Sequence, residues 1–247
     1  MSESKEIANW DEEMAKFAKA SASLERPQLA RISTRGGVLT YLEQKMAGNK
    51  MEVIVLSAIV EQAWYPGKFD PNNPTAPDCF AFSETGEEMT PHEKAYKPQA
   101  VTCDRCPQNE WGSDKNSPSG RGKACKRKRR ILLMPGTAAT DGSIPTAELA
   151  TLDVPVMSVA NWGTYVMGLN AAEGLPYWAV KTKIWLESDQ RSQFKVRFEY
   201  AGPLERDQQM QAMRRALDTK YLLMIPYEKT EEGLSDETKA RVSNKKY

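Results

Sequence analysis

The chain of 247 residues is 40% hydrophobic and 27% charged, with a formal net charge of +1, which is typical of a globular protein with a buried core. It has no run of about 18 apolar residues, so no transmembrane helix is expected, and its acidic first 25 residues lack the apolar stretch of a secretory signal. We therefore expect a cytoplasmic protein with reduced thiols and no membrane partner.

Charge is unevenly distributed along the chain. Residues 97–130 contain 10 Lys and Arg against 3 Asp and Glu, a net charge of +7, so the remainder carries −6. This asymmetry favours a polyanion-binding face on a protein that acidic surfaces elsewhere keep soluble. A solvated run of charges would explain the pattern equally well.

The first 66 residues predict one helix followed by β-structure. Residues 1–26 predict an amphipathic helix, with an apolar face made of Ile7, Trp10, Met14 and Phe17. Residues 29–66 predict a hairpin that turns at Gly36 and Gly37, and then a long strand over 51–65 that Pro66 ends.

Residues 67–130 are rich in turn-forming residues and show little apolar periodicity. Such a long irregular stretch is uncommon inside a compact domain unless something other than a core orders it. All four cysteines of the chain lie within this stretch, so we treat it as an inserted module.

The remaining residues again predict strands, with two helices. Strands are predicted over 131–134, 177–187 and 194–200, and a connecting helix over 159–172 that ends at Gly174. A further helix over 204–224 has an apolar stripe predicted to pack in the core, formed by Met210, Met213, Leu217, Tyr221 and Met224. The fold class is therefore mainly β with flanking helices (α+β), and residues 228–247 form a polar tail.

The cysteine spacing predicts a structural metal site. Cys103 and Cys106 form a C-x-x-C knuckle, 18 residues separate Cys106 from Cys125, and 23 residues separate Cys79 from Cys103. Four sulfur ligands suit tetrahedral Zn²⁺, which would also order the irregular segment. His92, the single histidine, could replace one cysteine.

Other uses of the four cysteines are less consistent with the sequence. An iron–sulfur cluster accepts four thiolates, but this spacing matches no common ferredoxin pattern. A redox C-x-x-C requires a thioredoxin-like setting that the predicted elements lack. Four unligated thiols are a further alternative. A catalytic zinc is disfavoured, because four sulfur ligands leave no coordination position for a substrate and no catalytic zinc motif is present.

A basic run surrounds Cys125. Seven cations stand within residues 121–130, namely Arg121, Lys123, Lys126, Arg127, Lys128, Arg129 and Arg130. A bound phosphate backbone would relieve their mutual repulsion. The alternative is a solvated charged surface.

The strand pair over 177–200 predicts a second nucleic-acid surface. Alternation places aromatic and basic side chains on its solvent face, namely Tyr177, Lys181, Lys183, Trp185, Lys195 and Arg197. Exposed aromatic rings stack on bases and cations neutralise phosphates. Further aromatic or basic candidates are Trp64, Tyr65, Lys68 and Trp111, each of which could equally be a core residue.

The cysteine segment CDRCPQNEWGSDKNSPSGRGKACKRKRRILLM, followed by LPYWAVKTKIWLE and FKVRFEYAG, resembles the zinc-containing single-stranded DNA-binding proteins of tailed bacteriophages. The resemblance covers roughly residues 29–201. It implies an OB-fold-like domain over 27–203 with the zinc module inserted at about 67–130, and metal-ligand roles for Cys79, Cys103, Cys106 and Cys125. Many members of that family end in a strongly acidic tail, whereas residues 228–247 here are of mixed charge.

The resemblance implies sequence-tolerant binding of single-stranded DNA during replication, recombination or repair in a bacterial host cell. RNA and replication or recombination proteins are further candidate partners. We expect no enzymatic activity, because the sequence shows no P-loop and no carboxylate cluster of the two-metal nuclease type. The alternatives are a zinc-ribbon adaptor and a non-catalytic subunit that binds a polymerase or nuclease.

Overall fold

The computed structural model describes residues 29–67, 75–117 and 119–227, together with Trp10, Glu13 and Met14. Those three residues are helical, in line with the predicted N-terminal helix. The rest of that helix, Lys68 and the predicted tail over 228–247 lie outside the described residues.

The described elements are nine strands and two α-helices. The strands are β1 Ala30–Ile32, β2 Thr40–Tyr41, β3 Gln44–Lys45, β4 Lys50–Trp64, β5 Cys79–Ser83, β6 Lys126–Pro135, β7 Ala150–Val154, β8 Val180–Asp189 and β9 Gln193–Pro203. The helices are α1 Val159–Glu173 and α2 Arg206–Thr219, and a 3₁₀ turn, Lys220–Met224, follows α2. Among these residues, neither helix has the length and apolar character needed to cross a bilayer.

Strand β4 is the centre of the main sheet. One of its edges pairs with β6 along most of its length, and the other edge is divided between β8 at the N-terminal end and β5 at the C-terminal end. A bulge between Val55 and Ser57 interrupts the pairing with β6, and bulges bend strands and increase their twist. Strand β5 and the start of β6, both inside the predicted insertion, are therefore parts of the main sheet.

The sheet is mostly antiparallel and runs in the order β1-β7-β6-β4-β8-β9, with β5 attached to β4. The pairing of β1 with β7 is parallel. Within the described part of the chain, the edge strands β1 and β9 do not pair with each other, so the strands form no closed barrel. The α+β class is confirmed, whereas the OB-fold barrel stays a prediction.

Two apolar cores lie on opposite faces of the sheet, because consecutive strand residues point in opposite directions. Val53 and Val55 of β4 belong to the core beneath α1, and Ile54 and Leu56 belong to the core beneath α2. Burial on both faces explains the four consecutive apolar residues of β4 from Val53 to Leu56.

The connecting helix forms as predicted. Helix α1 buries Trp162, Tyr165 and Leu169 on one side. It ends at Gly174, which has φ 64° and so takes the left-handed conformation that glycine adopts without a steric cost.

The predicted core stripe of the last helix is wrong for four of its five members, and only Met224, in the 3₁₀ turn, packs against the second core. Met210, Met213, Leu217 and Tyr221 are exposed, whereas Ala212 and, in the following turn, Leu223 are buried. The small Ala212 and Ala216 pack on the second core, so α2 lies close to the sheet and turns its large apolar side chains outward. Helical periodicity identified an apolar stripe but not the side of the helix that faces the sheet.

A buried charge cluster lies where β4, β6 and β7 meet. Glu61 is 0% exposed. Its carboxylate accepts a hydrogen bond from Arg130 Nε at 3.0 Å and forms an ion pair with Lys128 Nζ at 3.2 Å. Lys128 Nζ also lies 3.2 Å from Asp153 Oδ2. Burial would raise the pKa of Asp153, but the cations Lys128, Arg31 and Arg130 hold it below its usual value.

The same cluster attaches the C-terminal segment to the sheet. Arg130 Nη1 donates hydrogen bonds to the carbonyls of Leu223 at 3.1 Å and Ile225 at 3.3 Å. The Tyr227 hydroxyl donates to Glu61, and the Arg130 guanidinium lies over the rings of Phe82 and Tyr227 at 4.7 and 5.1 Å. Arg130 is therefore a structural residue.

We predict that Glu61→Ala lowers the free energy of unfolding by about 3–5 kcal/mol, because it leaves Arg130 and Lys128 buried without their carboxylate. Arg31→Ala is the matched control: its exposed guanidinium also pairs with this cluster, through Asp153 at 2.6 Å, yet it should cost no more than about 1 kcal/mol. Urea unfolding measures both. Equal losses for the two variants would show that burial of the cluster does not determine its contribution.

Candidate metal centre and nucleic-acid interface

The four cysteines converge on one small pocket, which Gln62 and Trp64 also line. Cys79 begins β5 and pairs with Trp64 of β4. Cys103 and Cys106 form a turn in which the Cys106 N–H donates to the Cys103 carbonyl at 3.3 Å. Cys125 immediately precedes β6, and its N–H donates to the Gln108 carbonyl at 2.7 Å. The fold thus brings together the residues that the spacing singled out.

Burial disfavours the free thiolate at Cys79, Cys103 and Cys125. All four are unpaired; Cys79, Cys103 and Cys106 are buried and Cys125 is half-buried. Burial, with a further contribution from the neighbouring thiols, raises the pKa of Cys103 to about 11 and that of Cys125 to about 12. A divalent cation among them would reverse this effect, because a metal binds the thiolate and releases the proton.

The donor set fits a thiolate-binding metal in type, but its geometry is not that of a formed ligand shell. Across the described ranges, no group of three or more His, Cys, Asp or Glu side chains has the arrangement of a metal-binding site. His92 does not line the cysteine pocket. Its ring stacks on Phe80 with centroids 5.1 Å apart, and its Nδ1 accepts a hydrogen bond from the Lys94 N–H. The four cysteines are therefore the candidate ligands.

Hydrogen bonds order the loop between Cys103 and Cys125. Asn109 Nδ2 donates to the Cys103 carbonyl at 2.9 Å. Ser113 Oγ donates to the Gln108 carbonyl at 3.0 Å and accepts from the Ala124 N–H at 2.9 Å. These hydrogen bonds link the two sides of the loop to each other, and the loop meets the cysteine pocket at both of its ends.

This loop carries the most exposed aromatic–basic pair among the predicted site residues. The Trp111 side chain is 78% exposed, and Lys123 Nζ lies 5.0 Å from its ring centroid. A backbone hydrogen bond from Gly112 to the Gly122 carbonyl, at 3.1 Å, joins the two sides of the loop. It places Trp111 next to the segment that contains Arg121 and Lys123.

The basic run of β6 does not form one surface, because strand alternation divides it between two faces. Arg130 is buried with Glu61 and is not a surface cation, which corrects its predicted role. Lys126 Nζ is held by Asp114 at 2.6 Å. Arg127 is exposed and donates to the Gly86 carbonyl at 2.9 Å, and Arg129 is half-buried, with Nη1 lacking a hydrogen-bond partner.

The β8–β9 hairpin has the predicted register, with Trp185 opposite Arg197. Its solvent face is not strongly basic, however, because three of its cations are ion-paired. Lys183 pairs with Glu199 at 3.0 Å, Lys195 with Asp189 at 2.7 Å, and Arg197 with Glu187 at 2.5 Å. Trp185 and Lys181 are half-buried. The cross-strand carboxylates, which the alternation argument left out, neutralise this face.

Three other predicted aromatic contacts are structural. Tyr177 lies in a 3₁₀ turn before β8, and its ring packs against Trp162 with centroids 5.6 Å apart. Tyr65 packs with Phe80, and burial raises its pKa to about 12. Trp64 lines the cysteine pocket. None of the three belongs to the exposed surface that the sequence predicted.

Gln62 is a pocket residue that the cysteine spacing does not predict. It is buried, lines the cysteine pocket and has an Oε1 atom without a hydrogen-bond partner. The signal was present, since Glu61 and Gln62 are adjacent polar residues inside the apolar run of β4. Buried polar groups are expensive unless satisfied, so such a pair marks a specific environment.

No protein-family description, curated protein or solved structure matches this chain. The case for its function therefore rests on its own residues and their geometry.

Proposed function

We propose that this protein binds single-stranded nucleic acid, with single-stranded DNA as its principal ligand, through the loop that joins Cys103 to Cys125. The observation that carries the proposal is Trp111, an exposed indole with the Lys123 ammonium beside it. An aromatic ring stacks on any base and an adjacent cation attracts the phosphate backbone, so binding through such a pair is sequence-tolerant.

The exposed cations of the cysteine loop and of the start of β6 give this region a more favourable charge than the β8–β9 face. Arg121 and Arg127 are exposed, and Arg127 is held by a neutral carbonyl and not by a carboxylate. On the β8–β9 face, by contrast, Lys183, Lys195 and Arg197 each have an acidic partner. A phosphate would have to compete with that partner.

We further propose that Cys79, Cys103, Cys106 and Cys125 hold one structural Zn²⁺. Four sulfur donors are the ligand type of closed zinc sites, and their convergence from β5, the C-x-x-C turn and the start of β6 would connect the loop to the main sheet. The metal would supply folding energy and hold Trp111 in place. It would carry out no chemistry, and we propose that the protein is not an enzyme.

A role in replication, recombination or repair follows from the resemblance to phage single-strand binding proteins. One observation favours the adaptor alternative, because Val101, two residues before Cys103, is almost fully exposed. An exposed apolar residue next to the cysteine turn would suit a protein partner. Titration with single-stranded DNA, RNA and duplex separates the two functions, since an adaptor would bind none of them through Trp111.

Replacing Trp111 with Ala should weaken binding to single strands by about 1–3 kcal/mol, with little dependence on base identity, because it removes one stacking surface. The melting temperature should stay unchanged, since the indole is exposed. Trp185→Ala is the matched control and should change affinity much less. Fluorescence anisotropy with oligo-dT and oligo-dA measures binding, and a larger loss for Trp185→Ala would move the interface to the β8–β9 hairpin.

Salt dependence provides a second test. Binding should weaken as salt rises, with a log–log slope of about −0.7 for each phosphate neutralised. The triple variant of Arg121, Lys123 and Arg127 to Ala should make the slope shallower by about 2. The control triple variant of Lys183, Lys195 and Arg197 should change it less, because those cations are already paired. An unchanged slope in the first variant would contradict the proposed path of the backbone.

Metal content tests the cysteine site directly. The purified protein should contain about one zinc per chain by elemental analysis, and Cys103→Ser should reduce it. That variant should increase amide hydrogen exchange in the loop, while the β8–β9 hairpin, which has its own apolar face, stays protected. Iron in place of zinc, or a metal-free protein prepared without chelator, would contradict the zinc proposal.

A further inference from the structure

Helix α2 and the start of the 3₁₀ turn that follows it present an apolar stripe to solvent. Met210, Met213, Leu217 and Tyr221 recur at spacings of three and four residues and are all exposed, Leu217 at 62% and Tyr221 at 64%. At a rise of 1.5 Å per residue the stripe extends over about 16 Å. Contiguous apolar surface of this kind is typical of an interaction site.

We propose that this stripe, the α2 stripe, is the interface of a homodimer in which two copies of α2 pack antiparallel about a two-fold axis. The stripe is centred at about the level of residue 216, so a two-fold axis there brings Leu217 close to its symmetry mate. Tyr221 at one end then meets the region of Met210 in the second copy. An interface of this kind is self-complementary, because the same patch serves both copies.

Charge supports a second copy as the occupant. Arg214 and Asp218 are exposed and flank the stripe on the same side, one helical turn apart. In an antiparallel helix pair the same flanks of the two helices face each other, so Arg214 of each copy faces Asp218 of the other. Two symmetric ion pairs would thus border the apolar centre, and they would fix the antiparallel direction.

The α2 stripe is independent of the proposed nucleic-acid interface. It shares no residue with the cysteine pocket or with the loop of Trp111. The stripe is also small, and stable interfaces bury about 1,200–2,000 Å² in total. We therefore expect a reversible dimer that dissociates on dilution, with a dissociation constant in the micromolar range.

Sedimentation equilibrium of the full-length protein over a concentration series tests the dimer. Met210→Asp and Leu217→Asp should each raise the dissociation constant at least tenfold. Met167→Asp is the matched control, because Met167 is a methionine exposed at 67%, against 44% for Met210, on helix α1, and it should leave the dimer intact. All three variants should melt at the wild-type temperature, since each replaced side chain is exposed.

A mixing experiment tests the antiparallel arrangement. Arg214→Asp and Asp218→Arg should each weaken the homodimer, because each places like charges across the two-fold axis. Mixed in equal amounts, the two variants should recover association as a heterodimer, because the flank of one chain is then wholly acidic and the facing flank of the other is wholly basic. Mixing cannot alter charge pairs within one helix, so recovery reports only contacts between chains.

A wild-type protein that is monomeric at every concentration would overturn the proposal, as would a dimer that Met210→Asp and Leu217→Asp leave unchanged. If the protein is monomeric and Met210→Asp lowers its melting temperature, the stripe is covered by a segment of the same chain and not by a second copy. A dimer that fails to recover on mixing would overturn the antiparallel arrangement.

Discussion

The carboxylate of Glu61 is the constraint on which much of this structure depends. It lies fully buried in the central strand, in contact with Lys128, Arg130 and Tyr227. A buried carboxylate is tolerated only when its charge and its hydrogen-bonding capacity are satisfied. The cations that pair with Glu61 must lie on its side of the sheet, and this sets the side to which alternate residues of β6 point. The hydrogen bonds from Arg130 to the Leu223 and Ile225 carbonyls then fix the path of the chain after α2.

The same constraint determines which cations of the basic run reach the surface. Seven consecutive or nearly consecutive cations look like one patch, but alternation and Glu61 divide them into structural and exposed members. Arg130 is committed to the interior and Lys126 to Asp114. The cations of this run that stay exposed are Arg121, before the strand on the cysteine loop beside Lys123 and Trp111, and Arg127, near the start of β6.

The cysteine loop and α2 suggest two separate functions for two surfaces of one sheet. The loop passes into β6 directly after Cys125, and at the cysteine pocket it meets Cys79 of β5. It therefore presents Trp111 from a supported base, as a stacking residue requires. The apolar stripe of α2 would join two such sheets. A dimer would place two Trp111 loops on one nucleic-acid strand or on two strands, and avidity would then strengthen binding without any new contact to bases.

The sequence by itself determined what local chemistry controls: the α+β class, the bounds of α1 with its Gly174 end, the alternation and register of the β8–β9 hairpin, and the grouping of the four cysteines. It could not determine the direction in which an amphipathic element faces. The stripe of α2 reads as core because helical periodicity reports which residues share a side and not what that side touches. Arg130 and Tyr177 read as surface because their partners Glu61 and Trp162 are 69 and 15 positions distant in the chain. Only the tertiary structure decides such pairings, because the free energy of burying a charge or a ring depends on the groups that long-range folding places around it.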